Sequence, residues 1–442
     1  MKLPTRERIY LSVIAAAASV VMANQAAQAQ TTTPTAADSK VDRLEKENQD
    51  LRKRLDMMDD VLKKEGLEPS GAQETSPVQA LSQMTISGFV EASYFYDVAS
   101  PSDKHPPGYL WNQNLGSFTL NKFKLTLASP AVDKDKWDAA YRVSLIYGSD
   151  AQYVNTSSSI GGVGSPDFTG LREAYLELNV PIGTGLDIKV GELISLLNWE
   201  SGDGGAANAN FSQGYQWFIT GNPPDAGIQL SYDFTDWLGV KLRVQNGLYG
   251  GEVQTGQKTF MGGLYLAPDK KTTLALLGFG GHQTAGPNND LGASLLGSRQ
   301  LMETYNLSFA TEFDWFHFDN PAAAGAQAAH GDSWSIGGWL TADFTPKLGA
   351  ALRADFLDDP TGYQSAGDLG IVPALYSPVP GSNNGQQLSS VTLTLDYKPV
   401  PAIKIQPEIR WNHTSYGGGF ATAAGSGKHN EVIVGMGASY LF

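Results

Sequence analysis

The chain contains no cysteine among its 442 residues. This absence excludes disulfides, thiolate metal sites, cysteine nucleophiles and lipidation of a mature N-terminal cysteine. Charged residues are also few, at 17% of the chain, whereas a soluble domain has about 25%. Beyond the N-terminal segment the sequence has no apolar run of the length that a membrane-spanning helix needs. This composition is atypical of a soluble enzyme.

Motifs for catalysis and for cofactor binding are missing as well. The six histidines lack the paired spacing of a zinc site, and there is no Walker or dinucleotide-binding motif. Asn412, His413 and Ser415 are residue types used by lipases, but successive residues of a strand face opposite ways. The formal net charge of −14 argues against nucleic-acid binding. We expect no enzyme activity, no cofactor, no metal site and no nucleic-acid partner.

The N-terminus has the three parts of a cleavable export signal. Lys2, Arg6 and Arg8 precede the apolar run IYLSVIAAAASVVMA, and small residues ending in AQAQ follow it. Cleavage after Ala29 satisfies the A-x-A rule. We predict a signal peptide over residues 1–29, a polar linker over 30–38 and export to the periplasm or beyond.

A heptad pattern follows the linker, over residues 39–65. Apolar residues and one asparagine recur at alternating steps of three and four, which is typical of a coiled-coil seam. About three heptads make a helix that is marginal alone, so partner helices would have to stabilise it. We expect self-association through this segment, with a solvated helix without a partner as the alternative. The seam consists of Val41, Leu44, Asn48, Leu51, Leu55, Met58 and Leu62.

After a second linker over 66–83, the period changes from 3.5 to 2. In IKIQPEIRWN, Ile403, Ile405 and Ile409 alternate with Lys404 and other polar residues. The segments EVIVGMGASYLF, VTLTLDY and LGVKLRVQ repeat this alternation. The pattern predicts an all-β domain over 84–442, which is compatible with either a soluble sandwich or a membrane barrel.

Three features favour a closed antiparallel transmembrane barrel. Aromatic residues stand next to turns, where interfacial girdles lie. Short connections alternate with long loops, as between periplasmic turns and outer loops. The ending with Tyr440 and Phe442 resembles the signal read by the barrel assembly machinery of the bacterial outer membrane. We therefore expect contact with outer-membrane lipid and lipopolysaccharide, with the N-terminal segment in the periplasm. The girdle candidates are Trp137, Tyr232, Phe234, Phe344 and Tyr397.

Counting alternating segments predicts sixteen strands, with fourteen or eighteen as alternatives. The segment LMETYNLSFATEFDWFHFD has no obvious turn, and we divide it around Thr311 because such barrels have an even number of strands. The predicted strands begin near Met84, Ser117, Lys136, Phe168, Gly185, Ala226, Trp237, Gln257, Thr272, Met302, Glu312, Ser333, Leu348, Leu388, Ile403 and Glu431.

The polar faces of these strands predict a lumen of nearly balanced charge. Such a lumen would admit water, small polar solutes and ions of either sign, unlike a phosphate-selective pore. Charge pairs that only satisfy one another are the alternative. The predicted lining comprises Glu91, Asp97, Lys122, Lys124, Arg142, Glu173, Glu177, Asp187, Lys189, Asp233, Lys241, Arg243, Arg353, Asp355, Asp396, Lys404, Glu408 and Arg410.

A long loop, LNWESGDGGAANANFSQGYQWFITGNPP, is the candidate for a constriction folded into the barrel. Glu200 and Asp203 are its candidate acids at the narrowest point, and its aromatic residues could hold it against the wall. An ordinary outer loop is the alternative. These aromatic residues are Trp199, Tyr215, Trp217 and Phe218.

Three blocks resemble a known family. ISGFVEASYFYDV, LREAYLELNVPIGTGLDIKVGELISLLNWES and NANFSQGYQWFITGNPPDAGIQLSYDF are similar to the putative β-barrel porin-2 family, the OmpL-like porins, over most of Thr85 to Asp359. The resemblance implies an outer-membrane barrel with pore activity, and it implies no defined substrate and no functional residue. The coiled coil is more similar to the periplasmic extension of some trimeric sugar porins.

Together these features predict a homotrimeric porin for passive diffusion of small hydrophilic solutes and ions. A channel specific for a sugar or an anion is one alternative. A tether that reaches the cell wall through its coiled coil is another.

Overall fold

The computed structural model describes residues 84–98, 112, 114–151, 154, 170–217, 224–247, 258–281, 290–320, 329–360, 386–415, 420–421 and 427–442, together with Lys53. The predicted signal peptide, both linkers and the coiled-coil seam lie outside these residues. That seam comprises Val41, Leu44, Asn48, Leu51, Leu55, Met58 and Leu62. In the described residues no helix is long and apolar enough to cross a membrane.

The chain from Met84 onward forms one unit, built almost entirely from strands. Among its described residues, helical conformation occurs in a 3-10 turn at Gly204–Ala206 and at the single residues Ala151 and Trp217. The strands are β1 (Thr85–Asp97), β2 (Phe118–Ala128), β3 (Asp138–Tyr147), β4 (Leu171–Val180), β5 (Leu186–Leu193), β6 (Asp225–Thr235), β7 (Leu238–Gln245), β8 (Thr259–Asp269), β9 (Thr272–Gly281), β10 (Asp290–Met302), β11 (Leu307–Asn320), β12 (Ala329–Thr345), β13 (Leu348–Asp359), β14 (Gln386–Tyr397), β15 (Ile403–Thr414), β16 (Phe420–Ala421), β17 (Gly427–Lys428) and β18 (Asn430–Leu441).

Sixteen of these strands close into a barrel, and β16 and β17 form a separate hairpin. Each barrel strand pairs antiparallel with its sequence neighbour, and β18 pairs with β1 from Phe89 opposite Leu441 to Asp97 opposite Ile433. Two backbone hydrogen bonds between Gly88 and Phe442 extend this seam. Closure pairs the backbone groups at the edges of the sheet, as a hydrocarbon environment requires. The predicted sixteen-stranded barrel is confirmed.

The division around Thr311 is wrong. Thr311 lies inside β11, and the strand that precedes it, β10, begins at Asp290 rather than near Met302. The turn between them ends at Asn306, whose φ is 45°, a left-handed conformation that asparagine adopts more readily than most residues. On β10 the inner-face residues include Gly292 and Ser294, whose small side chains contrast little with the outer face, so the sequence shows no clear alternation. The start predicted near Glu312 is five residues after the observed start of β11 at Leu307. The remaining predicted strand starts lie within four residues of the observed ones, as at Ser333 against Ala329.

Strand faces follow the alternation of the sequence. On β15 the side chains of Lys404, Glu408 and Arg410 are buried, whereas Ile409 and Trp411 are exposed on the opposite face. Charged residues thus occupy the enclosed face of β15 and apolar residues its outer face, so this part of the interior is polar. Such an inside-out distribution is expected of a barrel surrounded by lipid. An apolar cluster that includes Ile146, Phe279 and Phe316 is also buried.

Connections divide the barrel into two rims. Short turns join β2 to β3, β4 to β5 and the following strand pairs in the same order, and we call this end the short-turn rim. Long connections occupy the other end, the long-loop rim. Predicted girdle residues next to the short turns are exposed on the outer face, namely Trp137, Phe234, Phe344 and Tyr397, and Tyr232 beside them is partly buried.

Candidate functional site

The connection from β5 to β6 folds into the barrel, and its residues 194–217 are called the inward loop. Its backbone amides donate hydrogen bonds to four carboxylates on four different strands. Trp199 N donates to Glu312 at 2.8 Å, and Ala206 N donates to Glu91 at 2.8 Å. Phe211 N donates to Glu408 at 2.8 Å and Tyr215 N to Asp355 at 2.7 Å. The loop therefore crosses the interior along the wall formed by β11, β13, β15 and β1.

Cations of the same wall bind the carbonyl groups of the inward loop. Lys404 Nζ donates to Gly205 O at 2.8 Å and to Asn208 O at 2.6 Å. Arg410 Nη1 donates to Gln213 O at 2.7 Å. Amides and carbonyls that form no regular secondary structure are thus satisfied by wall side chains, as buried backbone groups require.

Glu200 is an anchor of the loop. Its carboxylate accepts hydrogen bonds from Arg353 Nη1 at 2.8 Å, from Trp339 Nε1 at 3.2 Å and from Gly214 N at 2.8 Å. The side chains of Glu200 and Arg353 are 5% and 0% exposed. Glu200, predicted as a candidate acid of the constriction, is therefore buried against an arginine of β13 that neutralises it.

Asp203 anchors the loop to the neighbouring part of the wall. Lys124 Nζ lies 2.5 Å from its Oδ2, and Arg172 Nε lies 3.1 Å from its Oδ1. Burial by itself would raise the pKa of Asp203, but the charges and hydrogen bonds of Arg172 and Lys124 lower it to about 2. This carboxylate is therefore ionised, paired with cations and turned towards the wall.

Aromatic contacts complete the docking of the loop. Phe211 stacks on Phe95 of β1 with ring centroids 5.4 Å apart, and it fills the space beside Gly437, where an added Cβ would come within 2.0 Å of its ring. The Tyr215 ring lies 5.2 Å from the Arg410 guanidinium. Trp199, by contrast, is 41% exposed. Of the other aromatic residues predicted to hold the loop, Trp217 is buried and Phe218 lies outside the described residues.

The opposite wall, from β3 to β7, keeps partly exposed charges on the inner face. Arg142 Nε lies 2.6 Å from Glu173 Oε1, and the side chain of Arg142 is 37% exposed. Lys189 Nζ lies 3.4 Å from Glu177 Oε2, with side-chain exposures of 23% and 18%. Because these residues face the interior, their exposure indicates water inside the barrel between this wall and the loop.

The other predicted lining residues fall into three groups. Asp233 lies at the short-turn rim, where it is exposed and pairs with Lys134 at 2.7 Å. Asp187, Lys241 and Asp396 are partly exposed on the inner face. The buried inner-face group comprises Glu91, Asp97, Lys122, Lys124, Glu173, Arg243, Arg353, Asp355, Lys404, Glu408 and Arg410.

Several inner-face charges were missed by the strand pattern. A register shift between Ser144 and Leu145 turns Arg172 inward beside Glu173. Glu312 and Asp314 were missed because the predicted strands were divided at Thr311, although their alternation with Phe313 was visible. Further buried acids stand near the long-loop rim, namely Glu192, Asp225, Asp290, Asp359 and Glu431. With these residues, the carboxyl groups on the described inner faces outnumber the cations.

The WNHTS segment does not bring its polar residues together. Asn412 lies on the inner face and donates to Glu431 at 2.8 Å. His413 lies on the outer face, with its Nδ1 3.1 Å from Asn430 Oδ1. Ser415 accepts a hydrogen bond from Gln387 N at the end of the strand. Asn412 and His413, which a lipase would need as partners, therefore face opposite sides of the barrel wall.

A comparison with protein families gives a match over residues 83–442, to the model described as putative beta-barrel porin-2, OmpL-like. This match extends beyond the region in which the sequence blocks resemble that family. A search of curated proteins gives no match.

Solved structures of outer-membrane channels align with the barrel. DcaP, an outer membrane channel of Acinetobacter baumannii, has a TM-score of 0.50 and 14% identity, over 81% of this chain and 97% of its own. An anion-selective porin from Comamonas acidovorans has a TM-score of 0.49 and 10% identity, over 81% and 99%. OmpT of Vibrio cholerae has a TM-score of 0.49 and 10% identity, over 81% and 97%. The alignment with DcaP shows a shared fold.

Proposed function

Because the chain belongs to the putative beta-barrel porin-2, OmpL-like family, we propose that it is a general porin of the bacterial outer membrane. Its activity is the passive diffusion of small hydrophilic solutes and ions through the barrel. The short-turn rim faces the periplasm, where the N-terminal segment lies, and the outer face contacts lipid and lipopolysaccharide.

The observation that carries this proposal is the asymmetry of the interior. Most anchors of the inward loop lie on the wall from β11 round to β2, with further contacts to Arg172 on β4 and Arg243 on β7. On the wall from β3 to β7, Arg142 and Lys189 keep side chains that are 37% and 23% exposed. A barrel of sixteen strands is too wide to be filled by side chains alone. A loop folded into such a barrel narrows it, and we propose that the space beside the exposed charges conducts.

Fixed charges of both signs line the remaining space. Arg142 with Glu173 and Lys189 with Glu177 place cations and carboxylates side by side. This arrangement orients water and admits ions of either sign, as expected of a general diffusion pore.

The assembly belongs to the same proposal. About three heptads from Val41 to Leu62 support a homotrimer joined by a periplasmic coiled coil. Tyr440 and Phe442 on the last strand are the proposed signal for the barrel assembly machinery. Tyr440 is exposed on the outer face, where a partner strand or protein can read it.

Recording from single channels in planar lipid bilayers tests the proposal. The purified full chain should produce discrete conductance steps that increase in proportion to KCl concentration, and heat-denatured protein should produce none. If an added sugar blocked the conductance saturably, the protein would instead be a specific channel. A properly folded protein that never forms channels would contradict the proposal and favour a tether.

A further inference from the structure

A polar cluster on the exposed wall has donors directed at the lumen, and we call it the β5–β7 cluster. It consists of Lys189 on β5, Gln229 and Ser231 on β6, and Lys241 and Arg243 on β7. In the strand register Lys189 lies opposite Gln229, Gln229 lies opposite Arg243, and Ser231 lies opposite Lys241. All five side chains therefore share one small area of the inner face.

Hydrogen bonds within the cluster run in one direction. Arg243 donates to Gln229 Oε1 through Nη2 at 2.6 Å and through Nε at 3.1 Å. Gln229 Nε2 in turn donates to Ser231 Oγ at 3.1 Å. Because Ser231 Oγ accepts the last hydrogen bond of this series, its own proton is available to donate. The buried positive charge of Arg243 polarises the series of hydrogen bonds towards the Ser231 hydroxyl.

Lys241 is the second donor of the cluster. Its Nζ lies 4.5 Å from the centroid of the Tyr265 ring. Within the described part of the chain, no carboxylate oxygen lies within 4.0 Å of this ammonium group. Nearby Lys189 and Arg243 add like charge, and Asp187 and Asp233 add opposite charge. A partly exposed ammonium group in this position is ready to bind an anion.

Arg243 increases this local excess of positive charge. It is 4% exposed, and its guanidinium donates to the neutral oxygens of Gln229, Gln245 and Ile194. The cluster therefore contains two cations that contact a π ring and neutral oxygens.

Two carboxyl groups lie beside the cluster. Glu177 pairs with Lys189 at 3.4 Å, and Asp187 lies opposite Ser231 in the strand register. These two groups limit the charge of an anion that can enter, since a dianion beside them would be repelled more strongly than a monoanion. A carboxylate carries one charge and has two oxygens, one for each donor.

We propose that Ser231 and Lys241, with Lys189 beside them, form a binding subsite for the carboxylate group of small organic solutes passing through the lumen. The inference rests on the proposed pore function and names a substrate class for it. Ser231 Oγ donates to one carboxylate oxygen and Lys241 Nζ to the other. Arg243 contributes its charge through Gln229 without touching the solute.

Block of single-channel current by gluconate tests the subsite, with glucose as a neutral solute of similar size. Gluconate added to KCl should reduce conductance saturably, whereas glucose should give only the small decrease expected from viscosity. Lys241→Gln should raise the half-blocking gluconate concentration about tenfold, as expected for loss of a charge-assisted hydrogen bond. Ser231→Ala should raise it about threefold, and Ser231→Thr, which keeps the hydroxyl, should restore block.

Lys347→Gln is the matched control, because it removes the same charge from an exposed turn residue at the short-turn rim. It should leave gluconate block unchanged. Unchanged block in Lys241→Gln would overturn the subsite, as would equal block by glucose and gluconate or stronger block by inorganic phosphate. A protein that forms no channels would refute the pore function itself, whereas channels without saturable gluconate block would refute only the subsite.

Discussion

Arg353 on β13 donates a hydrogen bond to Glu200 of the inward loop at 2.8 Å, and both side chains are almost fully buried. The two residues are 153 positions apart in the sequence. Arg353 also donates to Thr392 Oγ1 at 2.9 Å and to Ser212 O. One arginine therefore joins the wall to both halves of the loop.

Replacing Arg353 by glutamine should release the loop and destabilise the barrel. The change leaves Glu200 buried without its cation, which typically costs about 3–5 kcal/mol. The double variant Arg353→Gln with Glu200→Gln should lose less, because Glu200 then carries no charge and only Asp355, 3.4 Å from Arg353 Nε, loses its cation. Urea unfolding in lipid vesicles, followed by tryptophan fluorescence, measures the free energy of unfolding.

Lys134→Gln provides the matched control for this ion pair. Lys134 and Asp233 lie 2.7 Å apart, but both side chains are more than half exposed. Loss of an exposed pair should change the free energy of unfolding by no more than about 1 kcal/mol. Equal losses in the Lys134 and Arg353 variants would contradict the anchoring role of the buried pair.

Acid should loosen the loop only at low pH. The folded pKa of Asp203, about 2, lies below the unfolded value of about 3.9. The Lys124 and Arg172 contacts therefore stabilise the docked loop at every pH above about 4, and this stabilisation is lost as pH falls from about 4 through about 2.

Single-channel conductance between pH 7 and pH 2 measures this effect. The wild type should keep a steady open current down to about pH 4 and should show growing current fluctuation below it. Asp203→Asn should lack this pH-dependent step, since it carries no charge to lose. A step near neutral pH that disappears in Asp203→Asn would contradict the low pKa.

Gly437→Ala should displace Phe211. An added Cβ at this position would come within 2.0 Å of the Phe211 ring, and overpacking of this kind costs about 1–3 kcal/mol. We expect a changed conductance together with a lower unfolding free energy. Gly278→Ala is the control, because the nearest atom to its added Cβ is 3.7 Å away. Indistinguishable behaviour of the two variants would show that Phe211 does not fix the loop.

The pore should have a weak preference for cations. Carboxyl groups outnumber cations on the described inner faces, and several acids, such as Asp225 and Asp290, stand near the long-loop rim. Fixed negative charge at a pore mouth raises the local cation concentration, and salt screens the effect over about 10 Å. The reversal potential in a KCl gradient measures the preference. Strong anion selectivity would contradict this expectation.

Oligomerisation should depend on the heptad seam. Leu51→Asp places a charge in the proposed helix interface and should convert the detergent-solubilised trimer to monomers. Gln49→Asp introduces the same residue on the outer side of the proposed helix and should leave the trimer intact. Sedimentation in detergent measures both masses. A trimer that survives Leu51→Asp would assign assembly to the barrel.

Alternation was sufficient to predict β15 from Ile403, because each of its residues contributes a clearly apolar or polar side chain. It failed for β10, where Gly292 and Ser294 line the inner face and give little contrast. It also missed Arg172, since a register shift turns that side chain inward against the simple period of two. Bulges and small residues break the relation between sequence position and face.

The sequence by itself determined that this protein is an exported barrel with a polar interior, since apolar and polar residues alternate in strand after strand and lipid leaves no backbone group unpaired. Only the tertiary structure decided which charges neutralise one another and which face water. Glu200 and Asp203 lie on the predicted loop, yet closure of the barrel brings them to Arg353, Lys124 and Arg172. Partners so distant in the chain are set by the path of the loop across the lumen, which no local pattern encodes.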